Sequence, residues 1–513
     1  MKGATACQQC RQTKRRCIRA ESQDRCLQCA KRQTKCSFMV PSPRLGPDAT
    51  PVLLSTIDLP EQVIQELVSH YLSKIHDRPH SLFHPSTLRE NIHNGHVSQA
   101  LLFAICAMGS RFSRDPQIRL LESQLIFESK RLLKADLENI CLENIQTCVL
   151  VANLCAAHSD TSTEALFFRI ANGMANILWL TRFDSIDDLI TREVKRRIWW
   201  TLFMADRWYS SGLGLSRQMK DFERETELPM DEQLFHSLTR FQQIIPTPWK
   251  PGLWAYMITL VELFGPIQDL NRKLVRGGYN EDEIEQQVQH LSRQLDLWLN
   301  GIPEDTKLNE DNFLYHLRRG TGGSFVALHL GFHHYSTLLY FQYLDTGRPE
   351  KATTNDYTNR CKHHASSVSL LLKRAGQQED SEAVWPTVGH CLIVSSSVLL
   401  HTLLFGDEQL SEVRSSLNSN FEALIELTRY YPCLKSMVNR LDKFQHMCLI
   451  AAHLPTYRVD KWMLRFLIEH SLPLEGQDSN LLASVELETL SAQIQRSAEQ
   501  GRFTNFPFGE LSS

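Results

Sequence analysis

Six cysteines near the start of the chain share one spacing pattern. The stretches CQQCRQTKRRC (Cys7–Cys17) and CLQCAKRQTKC (Cys26–Cys36) each place two residues between the first and second cysteine and six between the second and third. Two cysteines at this spacing can place both sulfur atoms on one metal ion, because the chain turns back within that span. The pattern predicts a metal–thiolate site formed by Cys7, Cys10, Cys17, Cys26, Cys29 and Cys36.

The number of thiols indicates how the metal is held. Zinc in structural sites takes four ligands in a tetrahedron, so two separate ions need eight ligands. Six thiolates serve two ions only when two of them bridge both metals, and no histidine lies nearby to complete a set. The count therefore favours one cluster of two Zn(II) ions. A disulfide knot is typical of secreted chains instead, and the cysteines of bacterial ferredoxins lie closer together.

The same segment is strongly basic. Residues 1–45 carry eleven lysines and arginines against two acidic residues, a balance of +9, whereas the whole chain has a formal charge of −3. This asymmetry indicates a segment that binds a polyanion, attached to an acidic body. Large apolar residues are few there, so metal binding must supply most of the folding free energy of the segment.

Four of the basic residues, Arg11, Lys14, Arg15 and Arg16, lie within six residues, so on a short helix they can reach both the phosphates and the base edges of DNA. A lysine can donate to guanine O6 and N7 in the major groove, while neighbouring arginines neutralise phosphates. A solubilising role, or a nuclear import signal, is the alternative interpretation. The predicted DNA-binding residues are Arg11, Lys14, Arg15, Arg16 and Arg19.

These motifs resemble the fungal binuclear zinc cluster family of transcription factors. The resemblance implies two short helices related by a pseudo-twofold axis, with the first helix in the DNA major groove. It implies that Cys7 and Cys26 bridge the two zinc ions, that the other four cysteines are terminal ligands, and that Lys14 reads the bases of a CGG-type triplet. This chain has Asp24 where the family usually has proline, two residues before the fourth cysteine.

The implied function is sequence-specific regulation of RNA polymerase II genes, such as a metabolic or biosynthetic set, by a nuclear protein that is not an enzyme. Its expected partners are double-stranded DNA and transcription coactivators; whether it acts as a monomer or a homodimer stays open. The alternative is a zinc-binding interaction or signalling protein without specific DNA binding.

The rest of the chain predicts an all-α fold. Four prolines between residues 41 and 51 indicate a linker. Asp58 is the expected N-cap of an amphipathic helix whose apolar residues run from Val63 to Ile75. Apolar residues at helical spacing predict further helices over Ala100–Phe112, Leu121–Leu137, Ile145–Ala157, Ala165–Leu180, Glu285–Leu299, Phe325–Leu344, Cys361–Arg374, Ala383–Leu404 and Asn418–Tyr430.

The expected domains follow from these patterns. They are a zinc cluster domain at residues 1–40, a proline-rich linker at 41–58, a large helical regulatory domain at 59–470 and a C-terminal tail at 471–513. The tail ends in FTNFPFGELSS, which mixes aromatic, aliphatic and acidic side chains. It is either an activation segment that folds onto a coactivator or a segment that packs back on the body.

One stretch of the body, EVKRRIWWTLFMADRWYSSGLGLSRQM (Glu193–Met219), resembles the most recognisable element of the family's regulatory region. Its acidic and basic residues are at a spacing that favours buried ion pairs between helices over any catalytic use. They are Glu193, Arg196, Arg197, Asp206 and Arg207.

Other motifs carry weaker signals. His329 and His333 are four residues apart, but the glutamate of a zinc protease is missing. The glycines of Gly320–Ser324 follow no predicted strand and no lysine completes a phosphate loop, and Gly212–Ser216 is not a nucleophile elbow. The eight cysteines outside the cluster are expected to be buried thiols. No secretory signal and no uninterrupted apolar run of membrane-spanning length is evident, so we expect an intracellular protein without a membrane partner.

Overall fold

The chain is described from a computed structural model and divides into two compact units, Met1–Asp58 and Leu59–Ser513. In the first unit the structure describes Cys17, Cys26, Cys29 and residues 57–58. In the second unit the described residues are 59–78, 80–182, 187–220, 227–240, 242, 249–345, 348, 352–406, 410–451 and 461–469.

The regular secondary structure in the described residues of the second unit is helical, and β-structure there is limited to two isolated bridges. This confirms the all-α prediction. The α-helices are α1 Glu61–Lys74, α2 Pro85–His93, α3 Gln99–Ser110, α4 Pro116–Leu120, α5 Glu122–Ala135, α6 Leu142–Ala157, α7 Thr161–Ile177, α8 Leu189–Gly212, α9 Glu232–Ser237, α10 Leu253–Arg276, α11 Glu281–Gly301, α12 Glu310–Arg318, α13 Gly322–Tyr340, α14 Ala352–Ala375, α15 Pro386–Phe405, α16 Leu410–Thr428, α17 Leu434–Ala451 and α18 Lys461–Ile468.

The start of α1 differs from the prediction. Asp58 is not the N-cap; Pro60 occupies that position with ψ of 143°, and no side chain caps the helix. Because Pro60 itself is extended, the first helical residue is Glu61, whose carboxylate suits the positive end of the helix dipole. The predicted amphipathic face is present, with Leu67 and Tyr71 fully buried.

Two helices form the centre of the core. In α13 every residue except Ala327 and Gly331 is buried, and α15 is buried along almost its whole length. A helix that is apolar on all sides must be surrounded by others. Accordingly, α13 packs against α10 and α14, while α15 packs against α14, α16 and α17.

Helix α15 is also long and apolar enough, by composition, to cross a membrane, which the sequence prediction did not anticipate. Serines and histidines interrupt its apolar run, so no continuous stretch stands out in the sequence. In the structure 89% of that apolar window is buried inside the protein. Its serines bond within the core: Ser395 Oγ donates to Ala365 O at 2.7 Å and Ser397 Oγ to Ile393 O at 2.8 Å. The helix is thus the central core helix of the second unit.

The cysteines outside the cluster are thiols, and burial is nearly as predicted. Seven of the eight are buried. The prediction is wrong for Cys141, which is half-buried at the N-cap of α6. Burial raises the pKa of Cys106 and of Cys391 to about 12. Such thiols stay protonated at neutral pH and are weak nucleophiles.

Candidate metal centre and DNA-binding segment

Three of the six cluster cysteines belong to the described residues. Cys26 and Cys29 are buried, with 0% and 3% of their surface exposed, and Cys17 is half-buried. The backbone N–H of Cys29 donates to Cys26 Sγ at 3.4 Å, so the backbone of the second cysteine lies beside the sulfur of the first. The other predicted ligands and DNA contacts, namely Cys7, Cys10, Cys36, Arg11, Lys14, Arg15, Arg16 and Arg19, lie outside the described residues.

The pair of Cys26 and Cys29 fits a zinc ion. Thiolates are soft ligands that zinc binds tetrahedrally, and two of them separated by a tight turn are a common half of such a site. An N–H donor directed at a sulfur stabilises its negative charge and orients the ligand. These two residues would hold the metal, which when bound cross-links a segment that has little apolar core of its own.

A buried ion-pair network lies in the second unit, where α8 meets the preceding and following loops. Arg197 and Glu193 are both fully buried, and Arg197 Nε donates to Glu193 Oε1 at 2.9 Å. The Arg197 guanidinium also donates to Ser81 Oγ at 2.9 Å and to Met230 O at 2.8 Å. Arg196 adds a short contact to Glu193. Buried ion pairs are therefore present at Glu193, Arg196 and Arg197, but they lie within α8 and not between helices as predicted. The hydrogen bonds of Arg197 to Ser81 and Met230 join α8 to two other parts of the chain.

Next to this network, His76, Asp77 and His236 bring three possible metal ligands within 4.8 Å of one another. The hydrogen bonds argue against a metal. His76 Nε2 accepts from the backbone N–H of Leu82 at 3.3 Å and of Phe83 at 3.1 Å, so the ring proton sits on Nδ1 and faces Asp77.

Asp77 already has cationic and donor groups around it. Burial raises the pKa of this carboxyl, but the neighbouring His76 and His236 outweigh burial and hold the pKa well below its usual value. In addition, the guanidinium of Arg197 is close by, with Nη1 3.6 Å from Asp77 Oδ1. A metal ion at this position would be repelled by the guanidinium, so the cluster is an extension of the ion-pair network.

The aspartate–arginine pair of α8 shapes the turn after the helix. Asp206 is fully buried and accepts from the backbone N–H groups of Gln218 and Met219, both at 2.9 Å. Arg207 lies over the Phe203 ring at 3.3 Å from its centroid. The turn itself passes through Gly214 with φ of 65°, a conformation that glycine adopts without strain. Asp206 fixes the turn through these backbone contacts, and Arg207 Nη2 donates to Lys220 O at 3.2 Å beyond it, so both charged residues serve structure.

The remaining motifs serve packing, as their weak signals indicated. His329 Nε2 bonds to Thr306 O at 2.9 Å, while His333 contacts His364 at 2.9 Å between their Nδ1 atoms, so the two histidines have different partners. Gly323, in the first turn of α13, lies beside Arg78; a Cβ there would come within 2.3 Å of the guanidinium. This glycine makes room for an arginine and is not part of a phosphate loop.

Sequence reasoning missed the partners that complete the network. These partners are Asp77, Ser81, Met230 and His236, of which Met230 and Ser81 lie 33 and 116 residues from Arg197 along the chain. Nothing in their local sequence distinguishes them from ordinary loop residues. Only the fold brings them to α8.

Comparison with protein families identifies both parts of the chain. Residues 5–45 match the fungal Zn(2)-Cys(6) binuclear cluster domain, and residues 68–300 match the fungal specific transcription factor domain. The first match contains all six cysteines of the cluster, and the second contains α8 and its ion-pair network.

Similar proteins come from two fungi. An uncharacterized transcriptional regulatory protein of Schizosaccharomyces pombe is 25% identical over 370 residues, which cover 64% of this chain and 36% of that protein. The Zn(2)-C6 fungal-type transcription factors FTF1c and FTF2 of Fusarium oxysporum f. sp. lycopersici are 22% and 23% identical over 75% of this chain. The chain spans less than half the length of each of these relatives. With a zinc-binding cluster domain followed by a helical regulatory domain, the chain belongs to the fungal zinc cluster transcription factor family, whose members are not enzymes.

Proposed function

We propose that the chain is a nuclear transcription factor that binds specific double-stranded DNA sequences through its N-terminal zinc cluster. The observation that carries this proposal is the match of residues 5–45 to the binuclear cluster domain, in a segment with a charge balance of +9 over residues 1–45. A polyanion neutralised by such a segment releases counterions, which supplies affinity independent of sequence.

The six thiolates hold two zinc ions in this proposal. Cys7 and Cys26 bridge the ions, and Cys10, Cys17, Cys29 and Cys36 are terminal ligands. The burial of Cys26 and Cys29, with the Cys29 backbone N–H donating to Cys26 Sγ, supports this arrangement. Six thiolates and two Zn(II) ions carry a net charge of −2, which the surrounding lysines and arginines offset.

Sequence selectivity is assigned to Lys14. It lies four residues after Cys10, in the position of the base-reading lysine of the family, and a CGG-type triplet is the expected target. Arg11, Arg15, Arg16 and Arg19 are assigned to phosphates.

The rest of the chain is divided in the same proposal. Residues 41–58 would be the linker, residues 59–470 the regulatory domain, and residues 471–513 a tail that contacts coactivators. A homodimer of the chain would read two triplets.

The chain provides a matched control for Lys14. The tetrapeptide RQTK occurs at Arg11–Lys14 and again at Arg32–Lys35, but it begins one residue after Cys10 and three residues after Cys29. The two copies are out of register, so Lys35 is not the counterpart of Lys14. Lys14→Ala and Lys35→Ala each remove one positive charge from the same small segment.

The experiment measures the affinity of the full chain for a CGG-containing duplex and for a random duplex over a range of salt concentrations. Lys14→Ala should weaken binding to the CGG duplex by about 5- to 150-fold, corresponding to about 1–3 kcal/mol, and binding to random DNA only to the smaller extent expected for the loss of one positive charge. Lys35→Ala should weaken both duplexes to a similar and smaller extent. Equal losses on both duplexes for Lys14→Ala, with zinc content intact, would contradict the assignment.

A further inference from the structure

A cavity of about 150 Å³ lies inside the second unit. An apolar cavity of this size accommodates a benzene-sized ring. Its walls are strongly aromatic, with Phe168, Trp208, Tyr209, Phe264 and Tyr335 among the lining residues. A smaller cavity of about 50 Å³ shares the Trp208 and Tyr335 walls. Helix α8, which carries the ion-pair network, thus also forms one side of this cavity.

One acidic side chain lines the cavity without a counterion. Glu164, in the first turn of α7, is only 8% exposed. Among the described residues its carboxyl makes no ion pair or hydrogen bond, and no lysine or arginine is part of the cavity wall. Burial, and then the nearby Asp160, raise the pKa of Glu164 to about 8. A cation that reaches a buried carboxyl group stabilises its ionised form.

A second polar group at the cavity lacks a partner as well. His80 is 2% exposed and lines the cavity, and its Nδ1 makes no hydrogen bond among the described residues. Burial is the main cause that lowers the pKa of this imidazole to about 3, so the ring is neutral and adds no positive charge. Beside other polar wall residues, such as Asn153, His334 and His390, the cavity therefore presents an uncompensated acid, a neutral imidazole and aromatic faces.

We propose that this cavity binds a small primary amine attached to an aromatic ring, with its ammonium group at Glu164. The ammonium supplies the missing counterion, and aromatic faces attract cations in addition. The ring of the ligand occupies the apolar volume between the aromatic walls. Because an adjacent cation favours the ionised carboxylate, Glu164 gives up its proton to the solvent as the amine binds.

Other ionisable groups surround Glu164 on the neighbouring elements. Those interacting with it are Asp160 at the start of α7, Cys155 of α6, Tyr209 of α8 and Cys433 before α17, and the imidazoles of His80, His334 and His390 line the same cavity. Burial raises the pKa of both thiols and of the phenol, so they remain neutral near pH 7. Asp160 already pairs with Lys130 at 3.5 Å. The proton released on amine binding is therefore assigned to Glu164.

The test is calorimetric titration of the full chain with phenethylamine, without DNA, near neutral pH in two buffers that differ in their heat of ionisation. The expected result is binding that releases close to one proton per amine. Glu164→Gln should weaken binding about tenfold or more and abolish the proton release. Glu128→Gln is the matched control: Glu128 is 7% exposed, pairs with Arg131 at 2.8 Å and lies outside the cavity wall, so binding should be unchanged.

The neutral analogue 2-phenylethanol separates the amine from the ring. If it binds as tightly as phenethylamine and Glu164→Gln has no effect, the cavity accepts neutral aromatic compounds and the proposal is wrong. Absence of binding by phenethylamine, or binding without proton release, overturns it too. Proton release is measured on the unaltered chain, so a variant that fails to fold leaves the test valid. Since no DNA is present, the outcome is independent of the DNA-binding proposal.

Discussion

Replacing Arg197 by methionine should strongly destabilise the helical body. Arg197 is fully buried, and its guanidinium bonds to Glu193, Ser81 and Met230 at 2.8–2.9 Å. Methionine has a similar length but cannot donate, so the carboxylate of Glu193 and two neutral acceptors lose a partner at once. Removing one member of a buried ion pair costs about 3–5 kcal/mol, because the other charge stays buried.

Because Glu193 keeps other contacts, the expected loss in the free energy of unfolding lies toward the lower end of that range. Glu193 keeps its contact with Arg196 and still accepts from the backbone N–H of Met230 at 3.0 Å. A partly exposed pair provides the control: Arg217 bonds to Asp269 at 2.6 Å, and although the arginine side chain is only 15% exposed, the aspartate side chain is 53% exposed and stays in contact with water without its partner. Arg217→Met should therefore cost about 0–1 kcal/mol.

The assay is urea unfolding of the full chain, followed by the helical circular dichroism signal, which comes mainly from the second unit. Arg197→Met should shift the unfolding midpoint well below those of the unaltered chain and of Arg217→Met. The double variant Glu193→Gln with Arg197→Met should lose less than the sum of the two single losses, because the pair is coupled. If Arg197→Met and Arg217→Met unfold at the same urea concentration, the network does not stabilise the fold as argued.

Three further predictions test other parts of the account. Cys7→Ser should lower the zinc content from the two ions of the proposed cluster, measured by elemental analysis, whereas Cys361→Ser at a buried position should leave zinc unchanged; equal zinc in both would contradict a bridging role. Because the pKa of Glu164 is raised from 4.5 to about 8, the native state binds an extra proton between these values and loses stability as the pH rises through them. Glu164→Gln lacks this loss, so its thermal midpoint should rise relative to the unaltered chain between about pH 5 and about pH 8.5, and a fall would refute the assignment. Truncation after Gln500 should reduce reporter activity with protein level and DNA binding intact if the tail activates transcription; a collapse in protein level would indicate a packing role instead.

The parts of the fold that depend on neighbouring residues could be predicted from the sequence. Helix positions follow from apolar residues three and four apart, and each helix predicted in the second unit is present, whereas those expected in the zinc cluster lie outside the described residues. The ends of the helices differ more from the prediction than their positions do. Helix α14 begins at Ala352 rather than at Cys361, because its first turns are polar and are anchored by the buried Tyr357. At α1, the proline rather than the expected Asp58 marks the helix start.

The parts that depend on distant residues could not be predicted. The charges on α8 indicated ion pairs, but the sequence does not show that Ser81 and Met230 complete the bonding of Arg197. The cavity is a stronger example. Glu164 reads as an ordinary first-turn acid of α7, favourable for the helix dipole, and only the packing of several helices reveals that it is buried without a counterion.

The most direct test of the central claim is to select bound sequences from a random pool of double-stranded DNA with the full chain, in the presence of zinc and in the presence of a chelator. With zinc, CGG-type triplets should be enriched, and their spacing should distinguish a monomer from a homodimer. The chelator should abolish enrichment, because the cluster folds only around its metal. A pool without any enriched sequence, or enrichment that persists after zinc is removed, would contradict sequence-specific recognition through the zinc cluster.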